Sequence, residues 1–164
     1  MQTYERSVRV LAPFERVWDF HATTDGLEAL TPDWMNLVVE AVEGPDGERN
    51  PDVLETGARI HASVQPFGVG PRQSWTSQIT ARDREEGSGY FQDVMHDGPF
   101  DAWEHTHLFY ADGGATLVRD HVEYEFPLGA VGAGLARLAW VGFEPMFRYR
   151  HRQTKTLLER QGGE

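Results

Sequence analysis

The sequence contains no cysteine and only one lysine, Lys155. The first absence excludes disulfides, thiolate metal sites and cysteine nucleophiles. The second leaves fourteen arginines among 15 basic residues, set against 26 acidic ones, for a formal net charge of −11. That charge disfavours nucleic acid and anionic membrane surfaces as partners. An acidic chain almost without lysine fits a halophilic source or simply a GC-rich genome. No run of about eighteen apolar residues is present, so no membrane insertion is expected. The N-terminal Met1–Arg6 lacks the apolar core of a signal peptide, and the cytoplasm is the expected location. There is no glycine-rich phosphate loop, because Gly68-Val69-Gly70 is followed by Pro71 and a strand pattern. Ser74, Ser77 and Ser88 stand in no nucleophile-elbow context.

What is present suits one domain over residues 1–164. The chain is 40% hydrophobic and 12% aromatic, enough to bury a core. Thr3–Leu11 alternates as a strand, with Tyr4, Arg6, Val8 and Val10 on one face. Pro13 opens a short helix carrying Phe14, Val17, Trp18 and His21 at helical spacing. Thr24 or Asp25 can cap a second short helix, Gly26–Leu30. Strands follow at Met35–Glu43, Gly57–Phe67, Gln73–Asp83 and Tyr90–His96. Within them Ile60, Ala62 and Val64 share a face, as do Trp75, Ser77, Ile79 and Ala81, and Phe91, Asp93 and Met95. The polar loop Gly44–Pro51 is the expected variable segment. From Val131 to about Arg160 the period becomes 3.6. Leu135, Leu138, Ala139, Gly142, Phe143, Met146, Phe147, Arg150, Thr154, Leu157 and Leu158 form the stripe. Pro145 should kink this helix. Gln161–Glu164 reads as a frayed end.

The most informative stretch is Gly98–Gly129. Trp103–Tyr110 and Thr116–Phe126 alternate on either side of Ala111-Asp112-Gly113-Gly114, the pattern of a tight hairpin. Period two puts Trp103, His105, His107 and Phe109 on one face, and Val118, Asp120, Val122, Tyr124 and Phe126 on one face of the next strand.

The order strand, two short helices, six strands and one long C-terminal helix implies an α+β protein. Its antiparallel curved sheet has about seven strands. One helix cannot fill the concavity of such a sheet, and the leftover volume is the default site for a small molecule. The order resembles the START/Bet v 1-like (SRPBCC) superfamily, the helix-grip fold, and within it the polyketide cyclase/dehydrase and lipid-transport group. The resemblance rests on Ala12-Pro13-Phe14-Glu15-Arg16-Val17-Trp18-Asp19-Phe20 and on the Leu30-Thr31-Pro32 break. It rests also on Gly98-Pro99-Phe100 with Trp103, His105 and His107, and on Val122-Glu123-Tyr124 running into Pro127-Leu128-Gly129. It implies a hydrophobic ligand held between sheet and long helix. The group includes enzymes, transporters and proteins without assigned activity, so the fold leaves function open.

The expected cavity lining is Trp75, Phe91, Met95, Trp103, Phe109, Tyr124, Phe143, Met146 and Phe147, each of which could equally be plain core. His105-x-His107 aims two imidazoles the same way from one strand, about 7 Å apart. Asp120 and Asp93 can face them from the two neighbouring strands. Such a group can be a satisfied polar cluster, or an acid–base pair with a carboxylate orienting the imidazole. It can also be a zinc or iron set, although neither a metal nor a cofactor is assigned. A cupin, the other β-fold with His-x-His, is disfavoured. No glutamate stands at Ala111-Asp112, no further histidine follows Pro127-x-Gly129, and the long helix is foreign to that fold. Arg148-Tyr149-Arg150-His151-Arg152 reads as a solvated stripe pairing with Glu144 and Glu159. A monomer or homodimer is expected.

Overall fold

The structure is a computed structural model that describes residues 1–127 and 129–159, with side chains described outside 129–141. The expectations for Leu128, Leu135, Leu138 and Ala139, and for Arg160 to Glu164, lie outside the described residues. Strand β1 (Gln2–Val10) is followed by helices α1 (Phe14–His21) and α2 (Thr24–Ala29). Then come β2 (Val38–Glu43), β3 (Arg59–Val64), β4 (Gln73–Glu85), β5 (Ser88–His96), β6 (Ala102–Asp112), β7 (Ala115–Glu125) and α3 (Gly129–Glu159). The strands form one antiparallel sheet of seven in the order β1-β7-β6-β5-β4-β3-β2. From β2 to β7 it is a plain meander, and β1 adds the edge strand beside β7, pairing Gln2 with Tyr124 and Val10 with Thr116. This is the α+β helix-grip architecture.

Local chemistry sets the element ends. Pro13 caps α1 from an extended conformation, where its missing N–H is no loss. The cap of α2 is Thr23, one residue earlier than expected, because its Oγ1 accepts the Gly26 N–H at 3.0 Å. The β6–β7 turn falls within the expected Ala111–Gly114 but is tighter, a two-residue turn with Gly113 and Gly114 at φ +56° and +88° between strands that reach Asp112 and Ala115. Met35 belongs to a 3-10 turn over Asp33–Met35, so β2 begins later than the apolar run suggested.

One face assignment is corrected. Ala81 does not continue the inward face of Trp75, Ser77 and Ile79, because a bulge between Ile79 and Ala81 inserts an extra residue. Beyond it Arg82 stands opposite Phe91, and its guanidinium lies over the Trp18 ring at 5.3 Å from the centroid. Elsewhere period two holds. On β7, Val118, Asp120, Val122 and Tyr124 are all buried, as are His105, His107 and Phe109 on β6.

Three apolar clusters fill the concave side. α1 packs Phe14, Val17 and Trp18 against Phe91, Phe109 and Val118. Val42, Ile60, Ala62 and Ile79 gather at the other edge of the sheet, with Leu54 and Ala58 beside them. Tyr4, Val122 and Tyr124 meet Phe147 of α3. The helix is tied down on its outer side by Glu144, which accepts from the Tyr4 hydroxyl at 2.8 Å and pairs with Arg6.

Gly89 lies where β5 passes under α1, and a Cβ there would sit 2.7 Å from the Trp18 ring. Trp18 is wedged among Phe14, Phe91 and Phe109 and has nowhere to move. Gly89→Ala should therefore destabilise the fold by about 1–3 kcal/mol through overpacking. Chemical denaturation checks this, and an unchanged midpoint would remove the claim.

Candidate functional site

A cavity of about 490 Å³ lies between the concave sheet, the α2 region and the second half of α3. Exposed Gln73, Pro99 and Gly142 stand at one end of its lining, and buried His21, His105 and His107 at the other. The walls are mostly apolar. Seven of the expected lining residues are in them: Trp75, Phe91, Met95, Trp103, Phe143, Met146 and Phe147. Phe109 and Tyr124 are not. Phe109 is fully buried, edge-on to Trp18 and His21, and Tyr124 is packed among Phe100, Phe126 and Phe143. Both point inward, as period two requires, but other side chains cover them before the cavity begins.

The buried end is a connected set of ionisable groups. On β6 the His105 and His107 rings lie 3.7 Å apart, centroid to centroid. That is far closer than strand spacing alone suggests, because both rings lean toward shared carboxylates. His105 Nε2 donates to Asp120 Oδ1 at 2.8 Å. His107 Nε2 lies 3.2 Å from Asp93 Oδ2 on β5, and His105 Nδ1 is 4.0 Å from the same oxygen. His107 Nδ1 approaches Asp120 Oδ1 at 3.1 Å, yet too obliquely for a hydrogen bond, so this buried nitrogen has no hydrogen-bond partner. Ser77 donates to the other Asp93 oxygen at 3.0 Å. Phe91 stacks on the His107 ring at 4.1 Å.

Two further members come from α3, and the sequence reading misplaced both. His151, 4% exposed, donates from Nε2 to Asp120 Oδ2 at 2.6 Å. Arg150 points its guanidinium into the cavity, with Nε 3.9 Å from Asp120. Only the outer part of the basic run is solvated, with Arg148 paired to Glu144 at 3.2 Å. Glu159, expected to pair with the run, pairs instead with Lys155 at 2.9 Å. One signal was available: Arg150 falls in the same helical stripe as Phe143, Met146, Phe147 and Thr154, so one charge was aimed inward. His21 of α1, on the same face as Val17 and Trp18, also reaches the cavity, and its Nδ1 donates to the Val17 carbonyl at 2.8 Å.

Burial and the nearby cations set the charges. Burial and the neighbouring His107 lower the His105 pKa to about 4, against the pull of Asp120. Burial, helped by the Arg150 charge, takes His21 down to about 3. Burial alone would raise both aspartates. For Asp120 the hydrogen bonds from His105 and His151 outweigh it, with the nearby His107 imidazole and Arg150 adding to them, and the carboxyl is held well below its usual range. For Asp93 the His107 contact and the two imidazoles do the same more weakly. At neutral pH the site therefore holds two carboxylates, one guanidinium and a neutral His105.

A family model described as polyketide cyclase / dehydrase and lipid transport matches residues 10–142. No curated protein matches the sequence. Among solved structures, the norcoclaurine synthase of Thalictrum flavum is similar with a TM-score of 0.67. This is a point mutant in complex with a transition-state analogue, at 14% identity over 99% of this chain and 96% of that one. A START superfamily protein from Mycobacterium smegmatis gives 0.62 at 16% identity, over 94% and 98%. The protein TTHA0849 from Thermus thermophilus gives 0.60 at 20% identity, over 95% and 99%. At these identities the likeness is one of fold.

The two depressed histidines set an acid limit on stability. Their unfolded pKa is about 6.5, so from there down to about 4 the unfolded chain binds protons that His21 and His105 refuse. Stability is complete above this window and falls as the pH drops through it, by up to about 1.4 kcal/mol per pH unit for each such histidine. Thermal unfolding from pH 7 to 4.5 should show a steadily falling Tm. His21→Asn should flatten the slope whatever it does to the absolute Tm, and an unaltered slope would contradict this account.

Proposed function

The chain belongs to the polyketide cyclase / dehydrase and lipid transport family, and from that premise we propose that it holds a small hydrophobic or aromatic molecule between its sheet and its C-terminal helix. The observation that carries the reading is the cavity of about 490 Å³, apolar along its walls and closed at one end by a buried polar cluster. That size is typical of small-molecule sites. Trp75, Trp103, Phe143 and Met146 supply apolar contact, each 100 Å² of surface buried contributing about 2.5 kcal/mol. Asp93, His105, His107 and Arg150 supply the few polar groups that fix a ligand's orientation. The ligand pictured is a largely apolar body with one oxygen-bearing end, that end lying at the histidines.

A second reading, acid–base chemistry of the cyclase or dehydrase kind, draws on the orientation of His105 by Asp120 at 2.8 Å. Proton abstraction is most efficient when the base titrates near the working pH. With its pKa lowered to about 4, His105 is a hydrogen-bond acceptor more than a strong base. Binding is therefore the preferred reading.

Native mass spectrometry of freshly purified protein should show a co-purified lipophile. After its removal, the chain should bind an environment-sensitive hydrophobic dye saturably. Met146→Trp fills the cavity and should weaken dye binding at least about tenfold, equivalent to about 1.4 kcal/mol, while leaving Tm near that of the parent. Absence of both the adduct and saturable dye binding would sink the proposal, as would full dye affinity in Met146→Trp.

A further inference from the structure

We propose that Asp93, His105 and His107 form a site for a divalent transition metal, with three protein ligands and an open position facing the cavity. The ligand atoms are Asp93 Oδ2, His105 Nδ1 and His107 Nε2. One donor atom from each of these residues lies within 4.8 Å of the others. Asp93 Oδ2 is 3.2 Å from His107 Nε2 and 4.0 Å from His105 Nδ1. A tetrahedral zinc with ligands at about 2.0–2.2 Å needs its donors about 3.3 Å apart, so small shifts complete the geometry. Two imidazoles and a carboxylate form a mixed nitrogen and oxygen set suited to zinc, cobalt(II) or iron(II).

The surroundings are those a metal site requires. The nitrogens facing away from the proposed ion both turn to one oxygen, Asp120 Oδ1, from His105 Nε2 at 2.8 Å and His107 Nδ1 at 3.1 Å. A carboxylate behind His105 fixes its tautomer and raises its strength as a ligand, and the same oxygen lies within reach of His107 Nδ1 once that ring turns. Asp120 is itself held by His151 at 2.6 Å and lies beside Arg150. Ser77 occupies Asp93 Oδ1 at 3.0 Å and leaves Oδ2 turned to the two imidazoles.

Without an ion, His107 cannot serve both sides with one proton. If Nε2–H donates to Asp93, Nδ1 presents a lone pair to the Asp120 oxygen, and Nδ1 is left, like His151 Nδ1 and Arg6 Nε, a buried nitrogen without a hydrogen bond. If the proton moves to Nδ1, the Nε2 lone pair faces Asp93 Oδ2. A cation between Nε2 and Oδ2 resolves the conflict. The competing occupant of the gap is a second proton on His107. The inference stands apart from the lipophilic ligand, because the metal would occupy the polar end and needs nothing from the apolar walls.

The test is titration of the metal-stripped full chain with Co²⁺, followed by calorimetry and visible absorption, and then displacement by Zn²⁺. One Co²⁺ per chain is expected, with the ligand-field bands of a four- or five-coordinate ion and a rise in Tm. Asp93→Asn should weaken binding at least about tenfold. Asp120→Asn removes no ligand yet should cost about 10–100-fold through the misdirected imidazoles. His107→Gln tests the same point should Asp93→Asn fail to fold. The triple change His61→Gln, His96→Gln and His121→Gln, at histidines outside the cluster, should keep the single site. Met146→Trp should keep Co²⁺ binding while losing the dye, which separates this claim from the binding proposal. The proposal is overturned if the parent chain shows no one-to-one event, if Asp93→Asn binds as well as the parent, or if binding disappears with the three histidines outside the cluster.

Discussion

An ionised carboxylate taken out of water must be given donors in exchange, at a cost otherwise of several kcal/mol. Asp120, with a side chain 1% exposed, obtains them from two directions. His105 comes from the neighbouring strand, and His151 and Arg150 come from the C-terminal helix. The same oxygens that satisfy this one group therefore join sheet and helix at the buried end of the cavity. The other link, Glu144 to Tyr4 and Arg6, lies nearer solvent, where ion pairs contribute less. Between the two anchors α3 spans the concave face without filling it. The cavity is the space left between this helix, which packs chiefly on β1 and β7, and the rest of the sheet.

Much of this was legible in the residues, and the parts that were not share a cause. Alternation fixes which face a side chain takes, so Trp103, His105, His107 and Asp120 were placed correctly. The β6–β7 hairpin was equally readable from Asp112-Gly113-Gly114. Alternation does not say how far a ring leans or what stands in front of it. The two imidazoles were therefore set about 7 Å apart from strand geometry, whereas shared carboxylates draw them to 3.7 Å. Phe109 and Tyr124 faced inward but were covered by Trp18 and Phe143. A bulge is equally silent: the extra residue after Ile79 put Arg82 where Ala81 was expected.

The basic run on α3 failed for a different reason. Five polar residues in succession look like a wet surface, yet consecutive positions on a helix point in all directions, and two of them had to point inward. Arg150 carried that information through its helical spacing from Phe143, Met146 and Phe147. His151 carried none, because its meaning depends on Asp120, which is remote in sequence and lies on another element. Sites assembled by tertiary contact between strand and helix are the least visible to periodicity, and here that contact is the part with chemistry.

The pairing of β1 with β7 has a consequence for the life of the chain before it is folded. Gln2–Val10 leaves the ribosome well before its partner Ala115–Glu125. Until then β1 is a strand with both edges unpaired, carrying Tyr4, Val8 and Val10 without their cover, and the meander β2–β7 can zip up only from local hairpins. Contacts of such high sequence separation slow folding and lengthen the time in which strand edges are open to other chains. The charges of Glu5, Arg6 and Arg9 on that waiting strand are suited to keeping nascent copies apart. The N-terminal strand thus has two successive duties, staying soluble alone and then completing one edge of the sheet.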